Sequence, residues 1–476
     1  MRKNILFITA DQFRGDALGL RGAFPVRTPN LDRLAAEGCL FDNAYCANPL
    51  CTPSRAAIMT GQQSFENGVY YNDQNWPRET PSIPQLLAEN GFYCFKVGKT
   101  HFQPSHAYRG FHKITGDYDL KDQFNKDTAE SNKEGWEGVV QRQYAEKSEP
   151  TLMERFEPVV HTRVGLEELR RVVGQRDCAG PEATEPFFFW LSYKQPHTPC
   201  NPPEPWRSMY DPESIREAFR SPEELEKFSP CTLRRASYWK GVDDELRRSF
   251  IARYLGSITL LDDLIGNVLT FLEENHLKEN TLVVFTSDHG DNLGDHHMQQ
   301  KGNFHDCSSK VPLIFRGPGI AAQRRIQNNV SLVDLMSTFL DYSNLLMPGH
   351  RNAAGQPIYN QGLPTSGTNL MPLLKPDAPA DSFDTLSNRV VIAETGTFGY
   401  GVMLKQGNTK INHYPHSNHW DWFETADDPN ELNNMGGRER PPLSPEMEVT
   451  LDRVLQGMRR HEGGSYYYEK VRPMFT

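Results

Sequence analysis

Thr281-Leu282-Val283-Val284-Phe285-Thr286 runs without a charged residue straight into Ser287-Asp288-His289-Gly290. A short apolar run with no polar alternation reads as a strand covered on both faces, central in a parallel sheet. The Asp-His-Gly turn then falls just beyond the strand's carboxyl end, where open parallel sheets place ligand chemistry. Other stretches repeat the pattern. Ile5 to Thr9 leads into Ala10-Asp11-Gln12, and Phe92 to Val97 leads into Gly98-Lys99-Thr100-His101. Pro186 to Tyr193 leads into Lys194-Gln195-Pro196-His197-Thr198-Pro199. Phe41 to Tyr45 and Val311 to Phe315 read as further strands. Between them, Leu31 to Gly38, Ser82 to Gly91, Leu246 to Asn275 and Ser331 to Leu340 carry helical signals. The alternation predicts an α/β fold: a mostly parallel sheet flanked by helices.

Two polar stretches, about 103–184 and 201–243, read as insertions; the first holds one helical patch, Val164 to Val173. After about Pro376 the pattern shifts to short strands (Val390 to Glu394, Gly401 to Leu404, Thr409 to Asn412), an acidic turn-rich stretch from Asp421 to Asn434, and a helix from Ser444 to His461. The expected division is a catalytic domain over 1–375 and a smaller α+β subdomain over 376–476.

The 476 residues carry a net charge of −10 and no basic block, which argues against nucleic acid and against an anionic membrane as partners. An anionic substrate needs a local positive site against that field. The eight cysteines are scattered, with no C-x-x-C pair, and fit reduced thiols. The chain opens Met1-Arg2-Lys3 and enters a strand without a signal-peptide core, so a cytoplasmic protein is expected. No apolar run reaches the length of a membrane span.

Leu50-Cys51-Thr52-Pro53-Ser54-Arg55-Ala56-Ala57-Ile58-Met59-Thr60-Gly61 sets a cysteine before a short helix stopped by glycine. Helix N-termini favour anions, and Arg55 lies one turn on, so the cysteine is electropositively placed. Cys51-Thr52-Pro53-Ser54-Arg55 resembles the C-x-P-S-R signature of type I sulfatases, in the alkaline-phosphatase-like superfamily. In that family the cysteine is oxidised to formylglycine by a generating maturase. The resemblance implies that Asp11, Gln12, Asp288 and His289 hold a divalent metal, with the formylglycine oxygen at Cys51 as a further ligand. Calcium is the expected ion and manganese the alternative, since His289 adds a nitrogen to an oxygen-donor set. Many sulfatases carry Asp where Gln12 stands and Asn where His289 stands. The set here is closer to choline sulfatases, iduronate-2-sulfatases and phosphonate monoester hydrolases.

Gly98-Lys99-Thr100-His101 resembles the sulfatase G-K-x-H, and Pro196-His197-Thr198-Pro199 its P-H-x-P. Lys301-Gly302 followed by Val311-Pro312-Leu313 resembles its K-G…V-P-L segment. The family scheme makes Arg55, Lys99 and Lys301 the clamp on the sulfuryl group and His197 the general acid. His101 serves the release of sulfate. Asn72 resembles a substrate-binding asparagine of the choline-sulfatase branch. His296 and His297 are set aside as metal ligands because adjacent side chains diverge, and His305, Asp306 and Cys307 read as loop residues. Trp76, Tyr108 and Tyr118 are candidates for stacking on a sugar or caging a cation.

The expected activity is hydrolysis of a sulfate monoester, with a sulfated carbohydrate or a small alkyl sulfate as substrate. Alternatives are a phosphonate or phosphate ester hydrolase on the same fold, and a degenerate anion- or sugar-binding protein. Oligomeric state stays open.

Overall fold

A computed structural model describes residues 3–103, 106, 109–115, 153–179, 185–345, 366–397 and 399–462. The apolar runs form strands β1 (Asn4–Asp11), β2 (Cys39–Tyr45), β3 (Tyr93–Gly98), β4 (Lys113–Thr115), β5 (Phe187–Pro196), β6 (Thr281–Ser287), β7 (Lys310–Arg316) and β8 (Arg324–Ser331). They make one eight-stranded sheet in the order β4-β3-β5-β1-β6-β7-β2-β8. Only β7 runs against its neighbours. In the middle of the sheet Phe7 lies opposite Trp190 of β5 and Val284 of β6.

Alternate residues of these central strands feed two cores. Leu6, Ile8, Phe189, Leu191, Val283 and Phe285 face one side. That side is covered by α1 (Pro29–Ala36), α4 (Glu157–Ala179) and α5 (Asp244–Glu274). Ile5, Phe7, Phe188, Trp190, Leu282 and Val284 face the other. There they meet α2 (Cys51–Thr60), α3 (Ile83–Glu89) and α6 (Asp334–Tyr342). Helix α5 is capped by Asp243, whose side chain accepts from Leu246 N at 2.8 Å. It is long and apolar enough to cross a membrane, but its apolar stretch is buried inside the fold, as in a core helix.

A second, antiparallel sheet follows in the order β12-β11-β10-β9. Its strands are β9 (Val391–Thr395), β10 (Gly401–Gln406), β11 (Thr409–Tyr414) and β12 (His419–Glu424), and α7 (Pro445–Glu462) packs on it. Phe65 and Tyr70, just past α2, enter this smaller core beside Val402, Ile411 and Trp420.

Three segments differ from the sequence reading. The patch at Val164–Val173 is part of the much longer α4, which packs on β3 and β5 as cover for the sheet. Its apolar period is masked because polar residues such as His161 and Glu168 are themselves buried. Strand β8 carries Arg324, Arg325, Gln327, Asn328 and Asn329, the polar composition of an edge strand, and gives no apolar signal. The stretch from Asp421, read as turn, begins inside β12.

Candidate active site

Helix α2 begins at Cys51, after extended Leu50, and stops at Gly61, whose φ of 64° is the left-handed conformation of a helix C-terminus. Every residue of α2 is buried. Its first turn is tied to two neighbouring loops. Thr52 N donates to Asn72 Oδ1 at 3.0 Å, and Thr52 Oγ1 donates to the His101 carbonyl at 2.8 Å, with the Asn72 carbonyl 3.2 Å away. Asn72 thus satisfies a free N–H beside Cys51.

Four strand ends converge on Cys51. Asp11 closes β1, and Asp288 and His289 follow β6. Lys99 and His101 follow β3, and His197 follows β5. Around the Cys51 sulfur, Lys301 Nζ lies at 3.1 Å, His289 Nε2 at 3.2 Å, Asp11 Oδ1 at 3.7 Å and Lys99 Nζ at 3.9 Å. Lys99 pairs with Asp11 Oδ2. The imidazoles of His101 and His197 are also close enough to Cys51 to act on its side chain.

Arg55 is turned toward the carboxylates. Its Nε donates to Asp288 Oδ2 at 2.7 Å and Nη2 to Asp11 Oδ2 at 3.3 Å. Nη1 donates to Ser192 Oγ at 2.9 Å and Lys99 O at 3.0 Å. All three guanidinium nitrogens are bonded to protein, so Arg55 holds the acids in place. Ser54 Oγ donates to the Asp288 carbonyl at 2.6 Å, pinning α2 to the β6 loop. Ser192 and Asp291 have no place in the sequence reading. Ser192 sits inside the apolar β5, and Asp291 is marked only by its position three residues past Asp288.

The electrostatics follow from burial against close charge. Burial would raise the Asp11 carboxyl, but Lys99, His197 and Lys301 outweigh it and hold it far below the usual carboxylate range. Burial and the neighbouring Asp11 push Asp288 up. Burial opposes the Cys51 thiolate, yet Lys301, Lys99 and His289 lower the thiol well below its ordinary value. Burial and Lys301 bring His197 down to about 4.

The donor set fits a divalent ion. Ligand atoms of Asp11, Cys51, Asp288 and His289 all lie within 4.8 Å of one another, and all four residues are buried. His289 Nδ1 is 2.9 Å from the Gly290 carbonyl, a contact that takes a proton on Nδ1 and leaves the Nε2 lone pair facing the cluster. Gln12 adds an amide oxygen, Oε1, which accepts from Lys301 Nζ at 2.9 Å. Two carboxylates, an amide and one imidazole suit a hard or borderline cation.

His296 and His297 do not diverge as the sequence reading expects. Their φ values of 54° and 58° are left-handed, and both rings turn toward Glu224, at 3.3 Å from His296 Nδ1 and 3.4 Å from His297 Nε2. His296, His305 and Glu431 also gather their ligand atoms within 4.8 Å. The two imidazoles, however, stack with centroids 3.6 Å apart and planes at 11°. Imidazole lone pairs lie in the ring plane, so parallel rings at this spacing cannot both point at one ion, and the cluster is a packing contact. Asp306 starts a short helix, Asp306–Ser309, and pairs with Lys410 at 2.8 Å. Trp76 is buried against Phe102 and His106, as core packing. Tyr108 and Tyr118 lie outside the described residues. Among the described side chains the seven cysteines are buried and free.

Several known proteins resemble this chain. An arylsulfatase of Clostridium perfringens is 30% identical over 379 residues, covering 73% of this chain and 76% of its own. An N-acetylglucosamine-6-O-sulfatase of Bacteroides thetaiotaomicron is 24% identical over 92% of this chain and 83% of its own. The solved phosphonate monoester hydrolase from Silicibacter pomeroyi superposes with a TM-score of 0.73 at 24% identity, covering 97% of this chain and 95% of that one, a likeness of fold. The family model described as Sulfatase matches residues 3–345, from β1 to just past α6. The strand-end acids, the Cys51 helix and the surrounding cations all fall within that match, and the chain belongs to the sulfatase family, as a sulfuric ester hydrolase of the alkaline phosphatase superfamily.

Proposed function

We propose that this enzyme hydrolyses a sulfate monoester to an alcohol and inorganic sulfate, with Cys51 matured to formylglycine by a maturase and Ca2+ held by Asp11, Gln12, Asp288 and His289. The observation that carries the reading is the cationic ring around Cys51, with Lys301 Nζ at 3.1 Å and Lys99 Nζ at 3.9 Å from its sulfur. When bound, the ion polarises the sulfuryl oxygens, and the matured residue 51 supplies an oxygen nucleophile. The chain's own groups do the rest. Lys99 and Lys301 neutralise the ester's oxygens in a water-poor site, where such contacts act most strongly. Arg55 keeps Asp11 and Asp288 aimed. His197 gives its proton to the departing alcohol oxygen. The free site holds this histidine neutral, and the incoming sulfate's negative charge acts to raise it toward protonation. His101, beside residue 51, takes the proton needed for sulfate release.

A sulfated saccharide is the proposed substrate, supported by the N-acetylglucosamine-6-O-sulfatase, which aligns over nearly the whole chain. A second reading, phosphonate or phosphate ester hydrolysis, is favoured by Gln12 with His289 and by the fold likeness to a phosphonate monoester hydrolase. Lys99 and His101, both at Cys51, favour sulfate. The test uses enzyme co-expressed with a maturase. Peptide mass spectrometry first checks that residue 51 is formylglycine. Turnover is then compared on matched aryl sulfate, phosphate and phosphonate esters, followed by sulfated sugars and choline sulfate. Sulfate esters are expected to be preferred; faster phosphonate turnover would replace this reading with the second. An unmodified Cys51 after co-expression would favour an anion-binding protein instead.

A further inference from the structure

Asp291 lies in the loop after β6, fully buried, and the mechanism above gives it no role. Its Oδ1 accepts from the backbone N–H groups of Leu293 (2.9 Å) and Gln300 (2.8 Å). Its Oδ2 accepts from Gln12 Nε2 at 2.5 Å. Gln12 is pinned at every other polar atom. Its N donates to Asp288 Oδ1 at 3.1 Å, its carbonyl accepts from Tyr254 Oη at 2.8 Å, and its Oε1 accepts from Lys301 Nζ at 2.9 Å. Its φ of 71° is itself left-handed, so the backbone is held in an uncommon shape to deliver this side chain.

An amide has an accepting end and a donating end, and a half-turn exchanges them. An ionised carboxylate only accepts. We propose that Asp291 is the positioning residue that fixes the Gln12 amide with Nε2 outward and Oε1 toward the metal site and Lys301, and that an amide at 12 and a carboxylate at 291 form a matched pair. The proposal rests on the metal reading of the previous subsection. With Asp291 in place, a second carboxylate at 12 would face it in a buried site, and like charges there oppose ionisation.

An isosteric swap tests the pair. In Asp291→Asn the side-chain oxygen stays with the two backbone N–H groups. The new NH2 then faces Gln12, driving its amide to flip and turning Nε2 toward the ion. In Gln12→Glu two carboxylates meet. In the double variant Gln12→Glu/Asp291→Asn the pair is reversed: the amide at 291 donates to the carboxylate at 12, whose other oxygen faces the ion. Calorimetric titration of Ca2+ and of Mn2+ into the unmatured, metal-stripped proteins reads affinity independently of turnover. Asp291→Asn is expected to weaken binding by about 10- to 100-fold, the usual loss for an outer-shell partner. The double variant should return to within about threefold of wild type, a coupling that independent sites do not show. If Asp291→Asn does not fold and the double variant folds and binds, the pair is supported by that rescue. Wild-type affinity in Asp291→Asn, or a double variant no better than it, overturns the proposal. Failure of wild type to bind either ion overturns the metal reading instead.

Discussion

Arg55 spans the two strand-end carboxylates, Asp11 and Asp288. It is 1% exposed, and its bonds to Asp11 and Asp288 fix two buried carboxylates and work against the burial that pushes Asp288 up. Removing one partner of a buried ionic group leaves an uncompensated charge, so Arg55→Ala should cost about 3–5 kcal/mol in urea unfolding of the metal-free protein. Divalent ion should recover part of that loss, because it supplies the missing positive charge. His197 makes a complementary case. Burial and Lys301 hold it at about 4, so its resonances in the unmatured protein should titrate near that value. Lys301→Met removes the cation, and the midpoint should move up. An unmoved midpoint would separate Lys301 from His197. In matured enzyme His197→Asn should lower kcat on alkyl sulfates by about 10²–10⁴, the span of general acid catalysis, and less on esters whose leaving group needs no proton. Cys51→Ser should be inactive or stop as a sulfated enzyme, since serine has no second hydroxyl with which to expel sulfate; intact-mass measurement after mixing with substrate checks this.

At the scale of elements, the site depends on how closely β3 meets β5. Gly98 ends β3 with φ 93°, and a Cβ there would lie 2.0 Å from the Ser192 carbonyl oxygen, which also accepts from Lys99 N at 2.8 Å. Gly98→Ala should therefore lift Lys99 and His101 away from Cys51. The left-handed conformation alone costs about 1–2 kcal/mol for a residue with a Cβ. A thermal melt should show at least that loss, and activity should fall more than stability explains. The central strands and the polar turns after them are legible in sequence because those strands are covered on both faces and their turns must supply the chemistry. Strand β8 is not legible, because Ile326 and Val330, which it turns into the core, stand among polar residues. The orientation of Arg55 is not legible either, since its partner Asp288 lies 233 residues away. The convergence of His296 and His297 escapes the sequence reading for a different reason. Two consecutive left-handed residues break the rule that neighbours in extended chain point apart.

Across the whole molecule, buried ionisable groups join the two sheets and set the pH response. Lys410 of β11 reaches Asp306 at 2.8 Å and Glu431 at 2.5 Å, so one buried ammonium ties the second sheet to the segment before β7. Burial would raise Glu431, but Lys410 and His305 outweigh it and hold the carboxyl well below its usual range. Asp295 is lowered in the same way by Arg14 and Arg216, against its burial. Carboxyls depressed in the fold bind fewer protons there than in the unfolded chain, so their stabilisation is complete above about pH 4.5 and is lost as pH falls below it. His197 and His413 are pushed down to about 4, chiefly by burial, and withdraw stability as pH falls from 6.5 toward 4. Glu394 and Asp262 work in the opposite direction. Burial raises them to about 7 and about 6, so the fold binds their protons more tightly than the unfolded chain and gains stability as pH falls through that window. Between about pH 6.5 and 4.5 these two pairs oppose each other with shifts of similar size. Urea unfolding of metal-free protein reads both contributions through single variants. Glu394→Gln keeps the acceptor for Phe65 N, now at 3.0 Å from the carboxylate, while removing the titration. Relative to wild type, that variant should lose stability as pH drops below about 7, and His413→Gln should gain it as pH drops below about 6.5. A pH profile unchanged from wild type in both variants would mean that neither group sets the pH response of the fold.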